Sequence, residues 1–516
     1  MLEVVSTDTM RRSDAAMSEK GVNSKELMCR AGQAIFETVR KLNLWKPPVA
    51  VICGPGNNGG DGYALASLLN LADIDCVIFA LSDKVTETSR PFLDAAIGLG
   101  TKMTRNTDEL TPGRFGTVVD CIFGTGFKGA PKEPYLTAIR KINESGAYII
   151  SVDINSGLGG DSGIADGEVV RSDLTVSIGC RKSGLYMNYA KDYIKKLVNC
   201  DIGIDLLDEP ARLVDAPAIK RLFVREEHNT NKGDFGYVAL IGGSPEYSGA
   251  AKLANLSLSA LRSGAGVAKL AVPKSLSDAV LPYILESTLF PLDDMDGKYV
   301  FNEDTAAKLL SHTRAAAIGM GMGRSDEVAK LIDYALTKYD GRLIIDADGL
   351  NTLAGMDGAK LKNAACRVIL TPHPKEFERI SGIKFEEFRY DIPGAAKRFA
   401  EENNVILLLK GAATVITDGK STFIVDRGCT GMSTAGSGDV LSGILAGICG
   451  YVKDEDLTLG VAAGAYLNGR AGELAQENIS AVSMLSGDTV AHIPDAVREI
   501  LAAGDETASE PRWGEI

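Results

Sequence analysis

The amino-acid sequence predicts an α/β protein in which each half of the chain forms a parallel sheet with helices on both faces. Two observations support this prediction. An apolar strand, a glycine-rich turn and an amphipathic helix recur in that order through both halves, and the recurrence breaks once near the middle. Strands that alternate with helices favour parallel sheets. The length of 516 residues also exceeds what one ordinary core holds.

The first half of the chain shows this pattern from Val49 onward. An apolar run ending at Cys53 precedes the sequence GPGNNGGDG and the helical pattern YALASLLNL. Later apolar runs include DCVIFAL, GTVVDCIFGTG, AYIISVDINSG and LTVSIG, and glycine-rich turns follow three of the strands. In doubly wound sheets, ligands bind beyond the carboxyl ends of the strands. We therefore predict a ligand site at that edge of the first sheet.

The pattern breaks between about Gly203 and Asn231, where the sequence is charged and weakly periodic. This break predicts one domain at residues 1–210 and another at residues 225–503, followed by a polar tail at residues 504–516. The strand and helix pattern restarts with YVALIGGS. It continues through VAKLAVP, AAAIGMGMG, RLIIDADGL, CRVILTPHP and VILLLKGAATVI to GMSTAGSGDVLSG and a closing helix, LGVAAGAYLNGRAGELAQ.

The composition narrows the classes of function. A formal net charge of -13 argues against non-specific binding to nucleic acid or to membrane surfaces. The nine cysteines contain no CxxC pair, and only four histidines are present, so a Cys/His metal site is not expected. The stretch MLEVVSTDTMRRSD lacks the apolar run expected of a signal peptide, and no stretch reaches the roughly 18 consecutive apolar residues expected of a membrane span. We expect a cytoplasmic homo-oligomer that binds neither nucleic acid nor membrane.

The motif GPGNNGGDG, Gly54 to Gly62, carries the strongest signal of the first half. Its five glycines let the backbone turn sharply and approach a ligand, and the N–H groups that open the next helix attract anions. A capped turn would also use glycine, asparagine and aspartate. Two asparagines and an aspartate among the glycines exceed what a turn requires, so we favour a ligand site.

Asp120 and Asp153 each follow an apolar strand directly, and the loop GTGFKGA lies between them in the sequence. A single aspartate at a strand end usually caps the next turn. Two carboxylates beside a polar glycine loop favour a functional cluster at the carboxyl edge of the sheet.

The second half carries its strongest signal in GMSTAGSGD. Gly436, Ser437 and Gly438 precede a helix that is predicted to begin near Asp439, and their N–H groups suit an oxyanion or a transferring phosphoryl group. A carboxylate beside such a nest repels phosphate, which favours a general base over a simple helix cap.

Two further residues of the second half follow predicted strands. Lys410 follows VILLL and could reach a nucleotide phosphate, although most lysines are simply exposed. His373 lies between two prolines that fix its backbone, which leaves a structural and a functional role equally open.

The motifs of the first half resemble the N-terminal domain of the YjeF family, the NAD(P)H-hydrate epimerases, over residues 1–210. The resemblance implies a Rossmann-like three-layer α/β/α domain with Asp153 as the catalytic residue. It also implies a potassium ion held by Asn58, Asp120 and Ser156. Asn155 replaces the family's proline and is expected to loosen the turn. The implied dinucleotide-binding residues are Asn57, Asn58, Gly59, Gly60, Asp61, Gly124, Thr125, Gly126, Phe127, Lys128, Gly129 and Ala130.

The motifs of the second half resemble the ADP/ATP-dependent NAD(P)H-hydrate dehydratases of the ribokinase-like superfamily, over about residues 225–500. The resemblance implies that Asp439 is the catalytic base beside an anion hole at Gly436, Ser437 and Gly438. Lys375 stands where the family commonly has glycine. The implied nucleotide contacts are Lys410, Gly411, Ala412, Ala413, Thr414 and Gly438, and the implied contacts to the hydrated dinucleotide are Ala250 or Ala251, Gly321 or Gly323, and His373.

Both domains in this order match fused, mainly bacterial repair enzymes. The resemblance implies epimerisation of the R and S forms of hydrated NADH and NADPH, and dehydration of the S form with ADP or ATP and Mg²⁺. ADP is the expected co-substrate. A ribokinase-type kinase of a vitamin precursor is the alternative, but such a kinase has no use for the first domain. A non-enzymatic binding scaffold is a third possibility, against which the retained Asp120 and Asp153 argue.

Overall fold

The computed structural model describes residues 1–245 and 249–504, with backbone alone for residues 250–254. The described chain divides into two compact units. The N-terminal unit covers residues 3–211, and the C-terminal unit covers residues 212–504 together with Met1–Leu2. The division falls within the segment where the sequence pattern breaks. The predicted polar tail lies outside the described residues from residue 505 onward, as does the side chain of Ala251.

The N-terminal unit follows the predicted alternation of strands and helices. Its longest helix begins after Asn23, whose side chain accepts hydrogen bonds from the next turn's N–H groups. The strands of this part of the chain are β1 (Leu2–Val5), β2 (Val49–Cys53), β3 (Cys76–Ala80), β4 (Lys102–Thr104), β5 (Thr117–Cys121), β6 (Tyr148–Val152), β7 (Leu174–Ile178), β8 (Arg181–Lys182) and β9 (Leu197–Cys200). The helices are α1 (Thr7–Ala16), α2 (Ser24–Lys41), α3 (Asn57–Leu71), α4 (Arg90–Gly98), α5 (Tyr135–Glu144) and α6 (Ala190–Tyr193).

Seven strands form one parallel sheet in the order β4-β3-β2-β5-β6-β7-β9. Alternate residues of β2 face opposite sides of it. Val49, Val51 and Cys53 pack in a core with α2, α3 and α4, whereas Ala50 and Ile52 pack with α5. The unit is therefore the predicted three-layer α/β/α domain.

The C-terminal unit repeats the architecture on a larger scale, and its described residues form thirteen further α-helices. Its strands are β10 (Ala211–Leu213), β11 (Tyr237–Gly242), β12 (Val267–Pro273), β13 (Thr288–Leu292), β14 (Asp294–Met295), β15 (Lys298–Tyr299), β16 (Ala315–Met320), β17 (Arg342–Ile345), β18 (Arg367–Leu370), β19 (Ile406–Leu409), β20 (Thr414–Thr417) and β21 (Thr422–Val425). Its helices are α7 (Ala216–Ile219), α8 (Ala250–Arg262), α9 (Ser277–Val280), α10 (Glu303–Leu310), α11 (Asp326–Lys338), α12 (Ala347–Leu353), α13 (Ala359–Lys362), α14 (Pro374–Ser381), α15 (Phe385–Phe388), α16 (Ile392–Asn403), α17 (Ser437–Cys449), α18 (Leu457–Asn478) and α19 (Ser486–Ala502).

The main sheet of the C-terminal unit has the order β13-β12-β11-β16-β17-β18-β19-β20-β21-β10. The pairs from β13 to β19 are parallel, as predicted, but β20 pairs antiparallel with both β19 and β21. Residues on one face, such as Leu240, Leu270 and Ile344, pack in one core with α17, α18 and α19. The intervening Leu343 and Ile345 are also fully buried, so both faces are covered.

The strand orders fix where each unit can hold a ligand. In the N-terminal unit the direction of winding reverses between β2 and β5, and in the C-terminal unit it reverses between β11 and β16. Loops on either side of such a reversal diverge and leave a crevice. In the described part of the chain, no helix has the length and hydropathy needed to cross a membrane.

Candidate active sites

The loops that follow β2, β5 and β6 enclose a cavity of about 630 Å³ in the N-terminal unit. Asn57, Asn58 and Asp61 line it from the first turns of α3, and Asp153 lines it from the end of β6. The loop after β5 contributes Gly124, Thr125, Gly126, Phe127 and Lys128. Most of the residues predicted for the dinucleotide thus surround one cavity at the predicted edge.

Four of the predicted residues do not line the cavity. Gly129 and Ala130, the last two residues of the GTGFKGA loop, are exposed. Gly59 and Gly60 are buried in α3, where packing excludes a side chain. A Cβ atom on Gly59 would lie 2.2 Å from the carbonyl oxygen of Gly54, and one on Gly60 would lie 2.3 Å from Ser89 Oγ. These two glycines therefore serve the packing of α3.

Asn58 has an unusual hydrogen-bonding pattern. Its Nδ2 donates to the carbonyl oxygens of Phe123, at 2.9 Å, and Val152, at 3.3 Å. Its Oδ1 is buried and has no hydrogen-bond partner. The oxygen and nitrogen of an amide are assigned from their surroundings, and donation to two carbonyl oxygens fixes this orientation. Oδ1 is therefore a buried oxygen that no donor in the described residues satisfies.

Asp120 and Ser156 are in direct contact beneath the cavity. Ser156 Oγ donates to Asp120 Oδ1 at 2.6 Å and accepts from the N–H of Phe123 at 2.9 Å. The Asp120 carboxylate is fully buried and also accepts from Ser151 Oγ and from the N–H groups of Ser156 and Ile122. Burial raises the pKa of Asp120, and these hydrogen bonds oppose the increase. Phe123 thus joins Asn58 to the Ser156–Asp120 pair.

Asp153 is held by a buried lysine that the sequence did not suggest. Lys182 is 1% exposed and forms an ion pair through Nζ with Asp153 Oδ1. Asp153 has φ +68°, a left-handed conformation that aspartate tolerates better than most residues. Its N–H donates to the carbonyl oxygen of Val176 at 2.7 Å. Both ends of this residue are therefore fixed at the edge of the cavity.

Two further carboxyl groups line the same cavity. Burial raises the pKa of Asp61 well above its ordinary value, and the neighbouring Asp153 and Asp14 add to the increase. Burial also raises the pKa of Asp14, an effect that Lys182 partly opposes. Asp14 and Arg11 reach the cavity from α1. Nothing in the sequence marked Asp14 or Arg11, because both lie in an ordinary polar helix far from the glycine-rich loops.

The expectation that Asn155 loosens its turn is wrong. Asn155 is fully buried, and its Nδ2 donates to the carbonyl oxygens of Val170 and Tyr193 and to Ser172 Oγ. Its Oδ1 accepts from Thr175 Oγ1 at 2.6 Å. These four hydrogen bonds replace the rigidity that a proline ring would give, so the turn between Asp153 and Ser156 stays fixed.

In the C-terminal unit, the GSGD motif opens α17. Gly436 has φ +95° and caps the helix, which begins at Ser437 and places the half-buried Asp439 in its first turn. Ser437 Oγ donates to the carbonyl oxygen of Met432 at 2.7 Å, which fixes the loop before the helix. The N-terminal end of α17 therefore has the geometry predicted for an anion site, with Asp439 adjacent to it.

A buried carboxylate that the sequence analysis left without a role lies beside this helix end. Asp346 follows β17 and accepts from Ser442 Oγ at 2.7 Å and from Lys410 Nζ at 3.1 Å. Burial acts to raise the pKa of Asp346, but Lys410 and the hydroxyls of Ser442 and Thr371 lower it by more, so the pKa falls below its ordinary value. Lys410, which was predicted to contact a nucleotide phosphate, thus forms an ion pair with Asp346. Its side chain remains 24% exposed.

His373 begins α14 and caps it. Its Nδ1 accepts from the N–H groups of Lys375, at 3.1 Å, and Glu376, at 3.3 Å, and its own N–H donates to Glu376 Oε2. Burial lowers the pKa of His373 below 6.5. The ring is therefore neutral at pH 7, and Nε2 carries its proton.

The remaining predicted residues lie on loops and at the starts of β20 and α8. Gly323 donates its N–H to Asp348 at 2.9 Å, and both Gly321 and Gly323 have positive φ angles. In the segment predicted to contact the nucleotide, Gly411 and Ala412 are exposed, Ala413 is buried, and Thr414 begins β20. Ala250 and Ala251 begin α8, and their side chains lie outside the described residues.

Two α/β units, each with acidic and glycine-rich loops at the carboxyl edge of a parallel sheet, define a fused two-domain α/β enzyme. Residues 24–184 match the model of the YjeF-related protein N-terminus, and residues 238–495 match the model of the NAD(P)H-hydrate dehydratases. The bifunctional NAD(P)H-hydrate repair enzymes of Moorella thermoacetica and Thermofilum pendens are 33% and 32% identical to the chain. The matches cover 94% of this chain and of the Moorella protein, and 97% of this chain and of the Thermofilum protein. The chain belongs to the bifunctional NAD(P)H-hydrate repair enzyme family.

Among solved structures, the ADP/ATP-dependent NAD(P)H-hydrate dehydratase of Bacillus subtilis, crystallised with ATP and Mg²⁺, is 28% identical. Its match has a TM-score of 0.49 and covers 56% of this chain and 99% of the Bacillus protein.

The Lys410–Asp346 pair predicts a measurable effect on stability. Lys410→Met is expected to lower the free energy of unfolding by about 3 kcal/mol at pH 7, because Asp346 stays buried without its cation. In the wild type, the depressed pKa makes Asp346 stabilising above its unfolded value of 3.8, and this contribution is lost as the pH falls through the lower folded value. In the variant, burial raises that pKa, so the deficit should shrink as the pH falls towards 4.

Urea denaturation at pH 7 and at pH 4.5 measures this difference. Lys420→Met, at an exposed lysine in the turn between β20 and β21, is the matched control and should leave stability unchanged. A Lys410→Met variant that is as stable as this control at pH 7 would contradict the claim that Lys410 stabilises the buried Asp346 carboxylate.

Proposed function

We propose that this chain repairs hydrated NADH and NADPH in two steps. The N-terminal unit interconverts the R and S hydrates, and the C-terminal unit dehydrates the S form with ADP and Mg²⁺. The observation that carries the proposal is the occurrence in one chain of an Asp153-lined cavity and a GSGD helix start, in the order found in the family. Incubation with hydrated NADH, with and without nucleotide, tests it by recovery of the absorbance of the reduced nicotinamide.

The proposed epimerisation acts at C6 of the hydrated nicotinamide ring. This carbon carries a hydroxyl group beside the ring nitrogen, so its configuration can change through ring opening or through loss and return of the hydroxyl. Either route moves a proton. Asp153 lines the cavity and is the group we assign to that transfer. The loop from Gly124 to Lys128 and the start of α3 supply N–H groups and a cation for the pyrophosphate.

The residues around Asn58 fit a potassium ion. Asn58 Oδ1 is buried without a hydrogen-bond donor, and its Nδ2, which donates to the carbonyl oxygens of Phe123 and Val152, holds the amide in place. Potassium prefers several oxygen ligands and tolerates loose geometry. Asp120 and Ser156, joined to this point through Phe123, supply negative charge and further oxygens. The ion would add positive charge near the pyrophosphate and hold the three loops together.

The proposed dehydration uses kinase-like groups. Asp439 would accept the proton of the C6 hydroxyl as that oxygen attacks the terminal phosphorus of the nucleotide, with the N–H groups of Gly436 to Gly438 stabilising the phosphoryl oxygens. The nitrogen lone pair then expels phosphate, a better leaving group than hydroxide, and loss of the proton on C5 restores the reduced ring. His373, neutral and fixed at the start of α14, can donate from Nε2 to the dinucleotide.

Asp439→Asn is expected to lower the rate of dehydration by about 10²-fold or more while leaving nucleotide binding nearly intact, because it removes the base and keeps the size of the side chain. Single-turnover assays with the S hydrate and a thermal-shift titration with ADP measure the two effects. Near-normal turnover would reduce Asp439 to a helix cap.

Asp153→Asn is expected to block interconversion of the hydrates without changing dehydration of the S form. Asparagine is preferred to alanine because it tolerates the positive φ of this residue. Chromatographic separation of the two hydrates follows the exchange. A variant that still exceeds the spontaneous rate would refute the assignment.

Potassium is expected to stimulate epimerisation more than sodium does, since the smaller ion cannot contact all the oxygens around Asn58. The same preference should appear as a higher midpoint of thermal unfolding in potassium chloride, and Asn58→Leu should abolish it. Equal rates in potassium, sodium and tetramethylammonium would count against the site.

ADP is expected to support dehydration better than ATP, with AMP and phosphate as products. The reacting phosphorus must lie within about 3–3.5 Å of the substrate oxygen. The preference rests on the resemblance to the fused bacterial enzymes. If the adenosine keeps its position, one additional phosphate would carry the terminal group past the N-terminal end of α17. Specificity constants for the two nucleotides decide the matter, and a higher value for ATP would overturn the preference.

A further inference from the structure

We propose that Lys182 is a positioning residue of the epimerase site, which holds one oxygen of Asp153 so that the other faces the cavity. The inference rests on the proposed epimerase function. It adds a residue from β8, an element that lies outside every glycine-rich loop of the sequence.

The surroundings of Lys182 match the three protons of its ammonium group. Nζ forms an ion pair with Asp153 Oδ1, donates to the carbonyl oxygen of Ile178 at 2.6 Å, and lies 3.5 Å from Ser177 Oγ. The side chain is 1% exposed. A buried ammonium group is costly unless charge and hydrogen bonds compensate it, so these contacts hold the lysine side chain in one position.

The two oxygens of Asp153 have different surroundings. Oδ1 is turned towards Lys182, away from the loop that follows β5. Oδ2 lies 2.9 Å from the point where a Cβ atom on Gly124 would be, so it faces the first residue of that loop. The side chain keeps 12% exposure, and Asp153 lines the cavity. Only one oxygen is therefore directed towards a ligand, and Lys182 determines which one.

The charges around Asp153 explain why it needs an anchor. Asp61 from α3 and Asp14 from α1 line the same cavity and interact unfavourably with the Asp153 carboxylate. Arg11 and Lys128 also line the cavity but are themselves exposed to solvent. Without Lys182, the Asp153 carboxylate would lose its fixed rotamer and turn away from the carboxyl groups of Asp61 and Asp14. A displacement of about 1 Å in a reacting group can cost about 10²-fold in rate.

A double-mutant cycle on the full chain tests this inference. Lys182→Met should lower kcat for epimerisation by about 10²-fold while KM changes less than about threefold, because binding loops remain intact. Lys182→Arg should recover part of the loss. Adding Lys182→Met to Asp153→Asn should cause almost no further loss, since Lys182 acts through Asp153. Lys196→Met, at an exposed lysine before β9, is the control and should behave as the wild type.

Chemical rescue keeps the test decisive if the methionine variant folds poorly. In Lys182→Ala, ethylammonium should restore epimerisation, and it should restore none in the variant that also carries Asp153→Asn. Dehydration of the S hydrate by the same samples reports the amount of intact protein. Normal epimerisation by Lys182→Met, or losses that multiply in the double variant, would overturn the inference. A wild-type chain that does not epimerise would instead refute the proposed function.

Discussion

Parallel strand pairing is the constraint on which both sites depend. In the N-terminal unit, the register pairs Asp120 of β5 with Ile52 on one side and with Ser151 on the other. The residues just beyond these pairs therefore emerge side by side, and Asn58 meets the carbonyl groups of Phe123 and Val152. In the C-terminal unit, the pairing of β17, β18 and β19 brings Asp346, His373 and Lys410 to one edge in the same way. A shift by one residue would turn these side chains to the other face.

Each unit buries a carboxylate at this edge, and each supplies a lysine from a different strand end to hold it. Asp153 pairs with Lys182, and Asp346 pairs with Lys410. Asp120 is held differently, because its donors are hydroxyl and N–H groups with no formal charge, and its pKa rises where that of Asp346 falls. Similar side chains in similar positions thus have pKa values that the donors around them shift in opposite directions.

The sequence predicted those features that depend on local patterns. Strand ends, glycine-rich turns and the parallel order follow from periodicity, and they located Asn58, Asp153 and Asp439. Lys182 could not be predicted, because a lysine is ordinarily exposed and its partner is 29 residues away. The antiparallel β20 was also missed, since VILLLKGAATVI reads as one apolar segment when it in fact turns back on itself. The four bonds of Asn155 depend on residues up to 38 positions away.

Gly59 and Gly60 bear on how the loop motif should be interpreted in other proteins. A side chain at Gly59 or Gly60 would collide with Gly54 or Ser89 inside the protein. Asn57, Asn58 and Asp61, in contrast, line the cavity. The motif thus combines two kinds of evolutionary pressure. A distant homologue that had lost all activity would still keep the two glycines, while its asparagines and aspartate would be free to drift. In such a homologue, the glycine skeleton identifies the ancestry of the fold, and the polar positions alone report whether the chemistry survives.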